Sequence, residues 1–381
     1  MLKYDFIILG SGAAGLSLLM RMIASSHFNN KKILLIDRDI KNKNDRTWCF
    51  WENKDGFFDH IVYKKWSQLS FYGESPNAAL DIHPYQYKMI RGIDFYNYCF
   101  ERIKQCPNID IKYGELKSVV HETEKITICL EEEELHCTPA IIFNSIYKPS
   151  DPSKKKIQLL QHFKGWLIET DSPYFVEEQA TLMDFRVHQR YGTSFVYVLP
   201  VSDKRALVEY TLFTPQTLEP RQYDTELKDY IGRFLKLDKF TIAEQEFGII
   251  PMTNERFHFY QSGMYYIGIA GGQTKASTGY TFQFIQKQSQ HIVDSLVQNQ
   301  SLSLIPTSSR RFHFYDSVLL QLLATKKLGG KEIFSRLFQR NKASRIFKFL
   351  DNETSLKEEL SLISTLQTFP FLKASLQVLK P

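Results

Sequence analysis

Tyr4-Asp-Phe-Ile-Ile-Leu-Gly10-Ser-Gly12-Ala-Ala-Gly15-Leu16 decides the fold. Tyr4 to Leu9 is a largely apolar run of strand length, and Leu16 to Ile23 carries apolar residues at helical spacing. Between them stands a G-x-G-x-x-G turn. Gly10 makes the tight turn, Gly12 lets a pyrophosphate approach the backbone, and Gly15 lets helix and strand pack closely. Ala13 and Ala14 begin a helix whose N-terminus faces negative phosphates. Ile33 to Ile36 reads as a second strand ending at Asp37, about 20 residues on, where a carboxylate accepts ribose hydroxyls. Strand, turn, helix and acid together point to a dinucleotide, and on their own they do not separate FAD from NAD.

The second half of the chain supplies that separation. Met264 to Ala270 is an apolar strand that runs into Gly271-Gly272, followed by Ser277-Thr278-Gly279-Tyr280 and a helical segment to about Leu296. In FAD proteins of the glutathione-reductase type, a late strand–glycine–helix element approaches the ribityl chain and flavin. Gly271, Gly272, Thr278 and Gly279 are therefore candidate FAD contacts. The Asp that usually follows that strand is replaced here by the Ala270–Gly272 stretch.

Working outward, Ile109 to Phe143 alternates with charged breaks and reads as a small antiparallel meander. Trp166–Glu169, Thr193–Leu199 and Arg205–Thr211 read as short strands, and the pattern from Phe314 onward is helical. The expected fold is α/β: a glutathione-reductase-type FAD-binding doubly wound sheet, an inserted antiparallel β substrate domain and a helical C-terminal region. Residues 1–150 and 245–300 are assigned to the FAD-binding Rossmann-like domain, 151–244 to the substrate domain and 301–381 to the helical region.

The bulk numbers fit two domains: 381 residues against about 150 per domain. A net charge of +6 with no nucleic-acid module or zinc-finger spacing excludes a nucleic-acid partner. The five cysteines are odd in number with no C-x-x-C pair, which reads as thiol filler in a reducing compartment, with neither disulfide framework nor metal site. The N-terminus leads straight into a buried strand and is not a signal peptide. No stretch reaches the roughly 18 apolar residues of a bilayer span. The location expected is cytoplasmic, with peripheral membrane association. Aromatic residues reach 14% with 29 Phe, compatible with a large apolar pocket or simply a Phe-rich core.

GSGAAGL at 10–16, DRTWCFWE at 45–52, LMDFRVHQ at 182–189, FVYVLP at 195–200, LVEYT at 207–211, GIIPM at 248–252 and AGGQTKASTGY at 270–280 resemble, in order and spacing, the bacterial lycopene β-cyclases. The resemblance runs over nearly the whole chain. It implies a flavoenzyme that closes the ψ ends of lycopene or a related linear carotene to β rings, an isomerisation with no net redox. It further implies reduced FAD as the active form, with NAD(P)H only keeping it reduced. The acidic motif of the family matches Glu209 and Thr211, with Tyr210 between them; the adjacent second acid of the plant enzymes is absent.

Ring closure needs a proton delivered to a terminal alkene, a stabilised tertiary carbocation and removal of a neighbouring proton. An apolar pocket raises a carboxyl pKa by desolvation, so Glu209 is the candidate acid, with Thr211 orienting it on the same strand face. Asp184 and Arg186 are secondary candidates for the pocket wall. Trp48, Phe50, Trp51, Phe195 and Tyr197 are candidate tunnel aromatics. An anionic flavin about 4 Å from a cation, at an effective dielectric near 20, contributes about 4 kcal/mol. The stretch Lys326–Lys348 interleaves basic residues with Ile333, Phe334, Leu337, Phe338, Ile346 and Phe347, and is a candidate membrane-surface helix. Two other readings stand beside the cyclase: a flavin monooxygenase or isoprenoid reductase on the same scaffold, and a carotenoid carrier without turnover.

Overall fold

The computed structural model describes residues 1–74, 78–149, 156–306 and 309–379, so the expected junction at 150/151 lies outside the described residues. Phe6–Leu9 is the centre of a six-stranded sheet. It pairs in parallel with Ile33–Asp37 on one side and Ile141–Asn144 on the other. Ile109–Tyr113 and Met264–Tyr266 extend the parallel sheet outward, and Tyr260–Gln261 adds an antiparallel edge. The central strands read as unbroken apolar runs because both of their faces are covered. Ile8 and Phe143 pack under the helices Ala13–Ala24 and Phe282–Val297, whereas Ile7 and Leu9 pack under a three-stranded meander through Ile126 and Ile128.

That meander comprises Leu116–His121, Ile126–Leu130 and Glu134–Cys137. The meander expected over Ile109–Phe143 is thus shorter. Ile109–Tyr113 belongs to the parallel sheet, where an edge strand with one covered face alternates much as a hairpin strand does. At the glycine turn the packing reasons are visible. A Cβ on Gly15 would lie 1.9 Å from the Gly10 carbonyl oxygen, and Gly10 has φ +96° with Ser145 Oγ 2.3 Å from where its Cβ would be. A Cβ on Gly12 would meet nothing within 4 Å.

The second layer is a seven-stranded sheet in the order Thr241–Thr253, Gln158–Glu169, Arg205–Thr214, Thr193–Pro200, Gln179–Asp184, Gln68–Tyr72, Ala78–Asp81. It recruits chain from both sides of 151–244: its last two strands precede residue 151, and its first extends to Thr253. Strand alternation sends residues of Arg205–Thr214 to two faces. Val208, Tyr210 and Leu212 pack against Tyr223, Leu227 and Tyr230 of the helix Pro220–Arg233. Leu207 and Phe213 join Phe195, Tyr197 and Leu199 in a core shared with the C-terminal helices.

Those helices are Arg310–Ala324, Gly330–Arg340, Ala343–Leu350, Leu356–Ile363 and Thr368–Leu379. The membrane-surface reading of Lys326–Lys348 is corrected here. The stretch is two helices broken at Asn341, and Ile333, Phe334, Leu337, Phe338, Ile346 and Phe347 are all buried in the core. Apolar side chains at helical spacing serve a core stripe as well as a lipid-facing one, and here the core takes them. The exposed apolar stripe lies further on: Phe369, Leu372, Leu376 and Leu379 are each more than half exposed, as are Leu356 and Leu360 on the preceding helix. Among the described residues no helix is long and apolar enough to cross a membrane. A fourth sheet, of three strands (Thr47–Glu52, Gln86–Arg91, Lys64–Trp66), brings Thr47, Cys49 and Tyr87 to the cavity.

Candidate active site

One row of residues crosses four strands of the seven-stranded sheet: Glu246, Gly165, Glu209, Tyr197. Gly165 pairs with Glu246 on one side and Glu209 on the other, and Glu209 pairs with Tyr197. Paired residues share a face, so both carboxyls and the tyrosine project to the same side. A Cβ on Gly165 would sit 3.0 Å from Glu246 Cγ and 3.2 Å from its Oε1, so the bare glycine lets the Glu246 side chain lean over the middle strand. The two carboxyls are within hydrogen-bonding reach of each other. Thr211 Oγ1 donates to Glu209 Oε1 at 2.8 Å, and Thr47 Oγ1 donates to Glu246 Oε2 at 2.7 Å.

Glu209 and Tyr197 of this row help line a cavity of about 360 Å³. Gly12, Ala13 and Ala14 of the glycine turn line it, together with Thr278 and Gly279. So do Glu209, Tyr197 and Tyr87, with the apolar side chains of Phe163, Leu199, Phe247 and Ile249. Gly248 has no side chain because the Phe163 ring passes 2.2 Å from where its Cβ would be. Phe247 and Ile249, half exposed, give the cavity an apolar mouth.

The Glu209 carboxyl is pushed well above the usual carboxylate range, first by burial and then by the charge of Glu246, with the Thr211 hydroxyl pulling the other way. Glu246 is raised too, by burial, while the hydroxyl of Thr47 and the contact with Glu209 favour its charged form. Two half-buried carboxyls facing each other disfavour double ionisation, and the balance of these causes makes Glu209 the more readily protonated of the two. Burial also raises Cys49, Tyr87 and Tyr197 well above their usual values, and Tyr280 to about 12. Tyr197 Oη lies 3.4 Å from Tyr280 Oη, and the Tyr280 ring meets the Trp51 indole edge-on at 4.4 Å.

The dinucleotide end fits a phosphate-bearing cofactor. Gly12 leaves open space beside the N-terminus of the helix Ala13–Ala24. Asp37 ends the second strand and accepts from Ser11 N at 2.5 Å and Ser11 Oγ at 2.9 Å; Lys41 stands 3.4 Å away. Two buried oxygens lining the cavity, Gln161 Oε1 and Thr278 Oγ1, have no hydrogen-bond partner among the described residues. They are free to bond a polar group of a ligand held in the cavity.

The structure thus brings together Gly12, Ala13, Ala14, Thr278, Gly279 and Glu209 on one cavity, with Thr211 behind Glu209 and Asp37 behind Ser11. Gly10 and Gly15 shape the turn. Gly271 and Gly272 do not reach this cavity: they close a short helical turn, Gly272 with φ +74°, and border a different hollow beside Lys287 and His291. Asp184 is not brought in either. It pairs with Val196 and so projects to the other face, where Tyr230 Oη donates to it at 2.7 Å and Arg186 grips it through Nε at 2.9 Å. Of the aromatics, Trp48 and Tyr197 line the cavity, whereas Phe50, Trp51 and Phe195 are core. Sequence reading missed Glu246, Thr47, Tyr87 and Tyr280. A sign of Glu246 was available in the alternation of Glu244, Glu246 and Gly248 ahead of Ile249.

The lycopene cyclase protein family matches residues 5–376. The lycopene beta-cyclase of Pantoea ananas is 22% identical over 290 residues, 73% of this chain and 71% of that one. Among solved structures, a geranylgeranyl bacteriochlorophyll reductase-like protein of Thermoplasma acidophilum is similar with TM-score 0.66 and 14% identity, over 100% of both chains. A p-nitrophenol 4-monooxygenase of Pseudomonas putida gives 0.61 and 11%, over 98% of this chain and 99% of that one. The structural likenesses establish a fold shared with flavoproteins, and the family match adds what they lack: the chain belongs to the lycopene cyclase family.

Proposed function

We propose that this protein is a lycopene β-cyclase, which binds FAD and closes the ψ ends of lycopene to β-ionone rings without net redox. The observation that carries the reading is Glu209: a half-buried carboxyl, held well above the usual carboxylate range, on a largely apolar cavity that the dinucleotide turn also lines. Glu209 gives its proton to the terminal alkene of the ψ end. The cation this leaves on the tertiary carbon is attacked by the next alkene, which closes the six-membered ring. A proton then leaves the ring carbon and forms the β double bond. One proton enters and one leaves, and no electrons are exchanged.

Thr211 holds the carboxyl toward the cavity. The faces of Tyr197 and Tyr280 favour the cation, and the apolar wall excludes the water that would trap it. Gly12, Ala13, Ala14, Asp37, Thr278 and Gly279 are the residues that would hold FAD. In its reduced, anionic form FAD would supply negative charge near the developing cation, and NAD(P)H would serve only to keep it reduced. The substrate is insoluble in water, so the protein takes it from a membrane surface; the exposed stripe Phe369, Leu372, Leu376 and Leu379 is the face that suits lipid.

The test is expression in a lycopene-accumulating bacterium. Rings appear as γ- and β-carotene with the wild type. Glu209→Gln, which keeps shape but removes the transferable proton, leaves lycopene unchanged while the purified protein still carries flavin. A loss of about 10²–10⁴-fold is the range for a general acid. Rings formed at the wild-type rate by Glu209→Gln would remove Glu209 from the role.

A further inference from the structure

We infer that Glu246 is the proton partner of Glu209: it shares one proton with that carboxyl across Gly165 and reloads it from a second, water-sized cavity. The inference rests on the cyclase reading for its purpose and on the geometry of the row for its substance.

Glu209 and Glu246 stand on different cavities. Glu209 borders the large cavity that continues to the glycine turn. Glu246 borders a smaller one of about 40 Å³, lined also by Asn44, Arg91 and Glu244. Thr47 and Leu207 border both and form the wall between them. A water needs only about 10–15 Å³ of such space and a few polar partners, which Glu246, Glu244 and Asn44 provide. On the outer side Glu244 is exposed, with Asn44 Nδ2 donating to its Oε2 at 3.0 Å. Glu246 therefore sits between a polar antechamber and the acid that faces the substrate.

The hydrogen bonding of Glu246 agrees with this. Its Oε2 receives the Thr47 hydroxyl, whereas its Oε1, buried, receives no bond from an amide, amine or alcohol among the described residues. The group within reach is the Glu209 carboxyl, and the bond is made when one proton lies between them. The other ionisable groups around the pair do not take over the task. Cys49 on Thr47–Glu52, Tyr87 on Gln86–Arg91, Tyr197 on Thr193–Pro200 and Tyr280 are held neutral by burial. Lys41, Asp45 and Arg46 line the large cavity from the loop after the second strand. Arg91 lines the small one with its guanidinium bound by Asp94 at 2.6 and 2.8 Å.

The proton balance closes. Glu209 gives its proton to the alkene carbon and becomes a carboxylate beside a carboxylate. That arrangement is unfavourable and draws a proton from water in the small cavity to Glu246, and from Glu246 to Glu209. The proton lost from the ring carbon leaves to solvent. Glu246 does not touch the substrate; it is a positioning and relay residue.

The test compares Glu246→Gln and Glu246→Asp with wild type in the flavin-loaded full chain. The sign follows from charge: the anion at 246 raises Glu209, so a neutral Gln lowers it, and the alkaline limb of the rate–pH profile moves to lower pH. Turnover at pH 8 falls about tenfold or more in Glu246→Gln while KM for lycopene and flavin content stay as in wild type, and Glu246→Asp restores part of it. A second measurement does not use activity. Infrared titration of the wild type shows a protonated carboxyl band at neutral pH, which Glu209→Gln removes and Glu246→Gln displaces to lower pH. An unchanged profile and an unchanged band in Glu246→Gln overturn the relay. Failure of the wild type to make rings, with the band and its displacement intact, overturns the cyclase reading and leaves the pair standing.

Discussion

Gly165 lies directly across from Glu209 on the neighbouring strand, and a side chain there would fall 3.0 Å from Leu207 Cδ1 and 3.0 Å from Glu246 Cγ. The glycine is the gap through which two carboxyls from strands that do not pair with each other come together. Replacing it by Val should push Glu246 away from Glu209 and retune the acid without touching either carboxylate. Misplacement of about 1 Å at a reacting group costs up to about 10²-fold. A Gly165→Val protein that keeps its flavin and its melting temperature but loses turnover by at least about tenfold is expected; one with wild-type turnover would mean that the spacing of the pair is immaterial.

The three motif glycines should separate by experiment into cofactor and packing roles. Gly12 faces open space, so Gly12→Val should fold with nearly unchanged stability and lose flavin from the purified protein. Gly15 has no such freedom, since a Cβ there would lie 1.9 Å from the Gly10 carbonyl. Gly15→Ala forces helix and strand apart and should cost about 1–3 kcal/mol, in the range for overpacking. Flavin absorbance and thermal melts read the two effects separately. Full flavin occupancy in folded Gly12→Val would show that the phosphates do not pass over that residue.

Much of this was legible in the sequence, and the losses have a common cause. The strand–turn–helix at residues 4–23 and Asp37 are local features, each readable from neighbours in the chain, and they stand where the pattern put them. Glu209 and Thr211 were named by resemblance and by strand alternation, and they stand together, Glu209 on the cavity and Thr211 bonded to it. Glu246 was not, because its meaning depends on register across a third strand, and pairing between distant strands leaves no local trace. Asp184 lies off this cavity for the matching reason: its strand is largely buried on both faces, so composition does not tell which face holds the cavity. Gly271 and Gly272 lie within the matching motif, yet the turn they close bends them toward a different hollow.

Redox accounting separates the cyclase from the reductase and monooxygenase chemistries named for its structural neighbours. In an anaerobic assay with reduced flavin, rings should form with far less than one NAD(P)H oxidised per ring. Product formed in one-to-one proportion to NAD(P)H would favour a reductase, and an absolute requirement for oxygen a monooxygenase.

Acid stability should carry the signature of His162. Its ring is buried, with Nδ1 2.6 Å from Tyr223 Oη and Nε2 2.6 Å from Thr214 Oγ1, and burial pushes it down to about 4. In the unfolded chain it titrates near 6.5, so between these values the unfolded state binds the extra proton. Its contribution is therefore complete above pH 6.5 and is lost as pH falls toward 4. The raised carboxyls Glu209 and Glu246 act in the opposite sense, which makes the difference between proteins the useful quantity. The fall in melting temperature from pH 7 to pH 5 should be smaller in His162→Gln than in wild type; an equal fall would place the acid sensitivity elsewhere.

Where the protein meets lipid should be decided by its last two helices and not by Lys326–Lys348. Phe369, Leu372, Leu376 and Leu379 recur at helical spacing on Thr368–Leu379 and face outward, with Leu356 and Leu360 exposed on the helix before it. A monomer rarely leaves such a stripe to water. Each fully buried leucine-sized side chain contributes about 1.5–3 kcal/mol, so two of them suffice to set binding. Wild-type protein should rise with phospholipid vesicles in a flotation assay, and Leu372→Gln with Leu376→Gln should leave it in the dense fraction while flavin stays bound. Charge reversal at Lys342, Arg345 and Lys348 should change flotation little, because Arg345 donates to Ser361 and Lys348 is paired with Glu358 at 2.8 Å. The reverse outcome, with flotation lost on charge reversal and kept in the leucine variant, would return the docking face to the basic stretch. Oligomers dispersed by the leucine changes, in a wild type that never floats, would make the stripe a contact between copies of the chain.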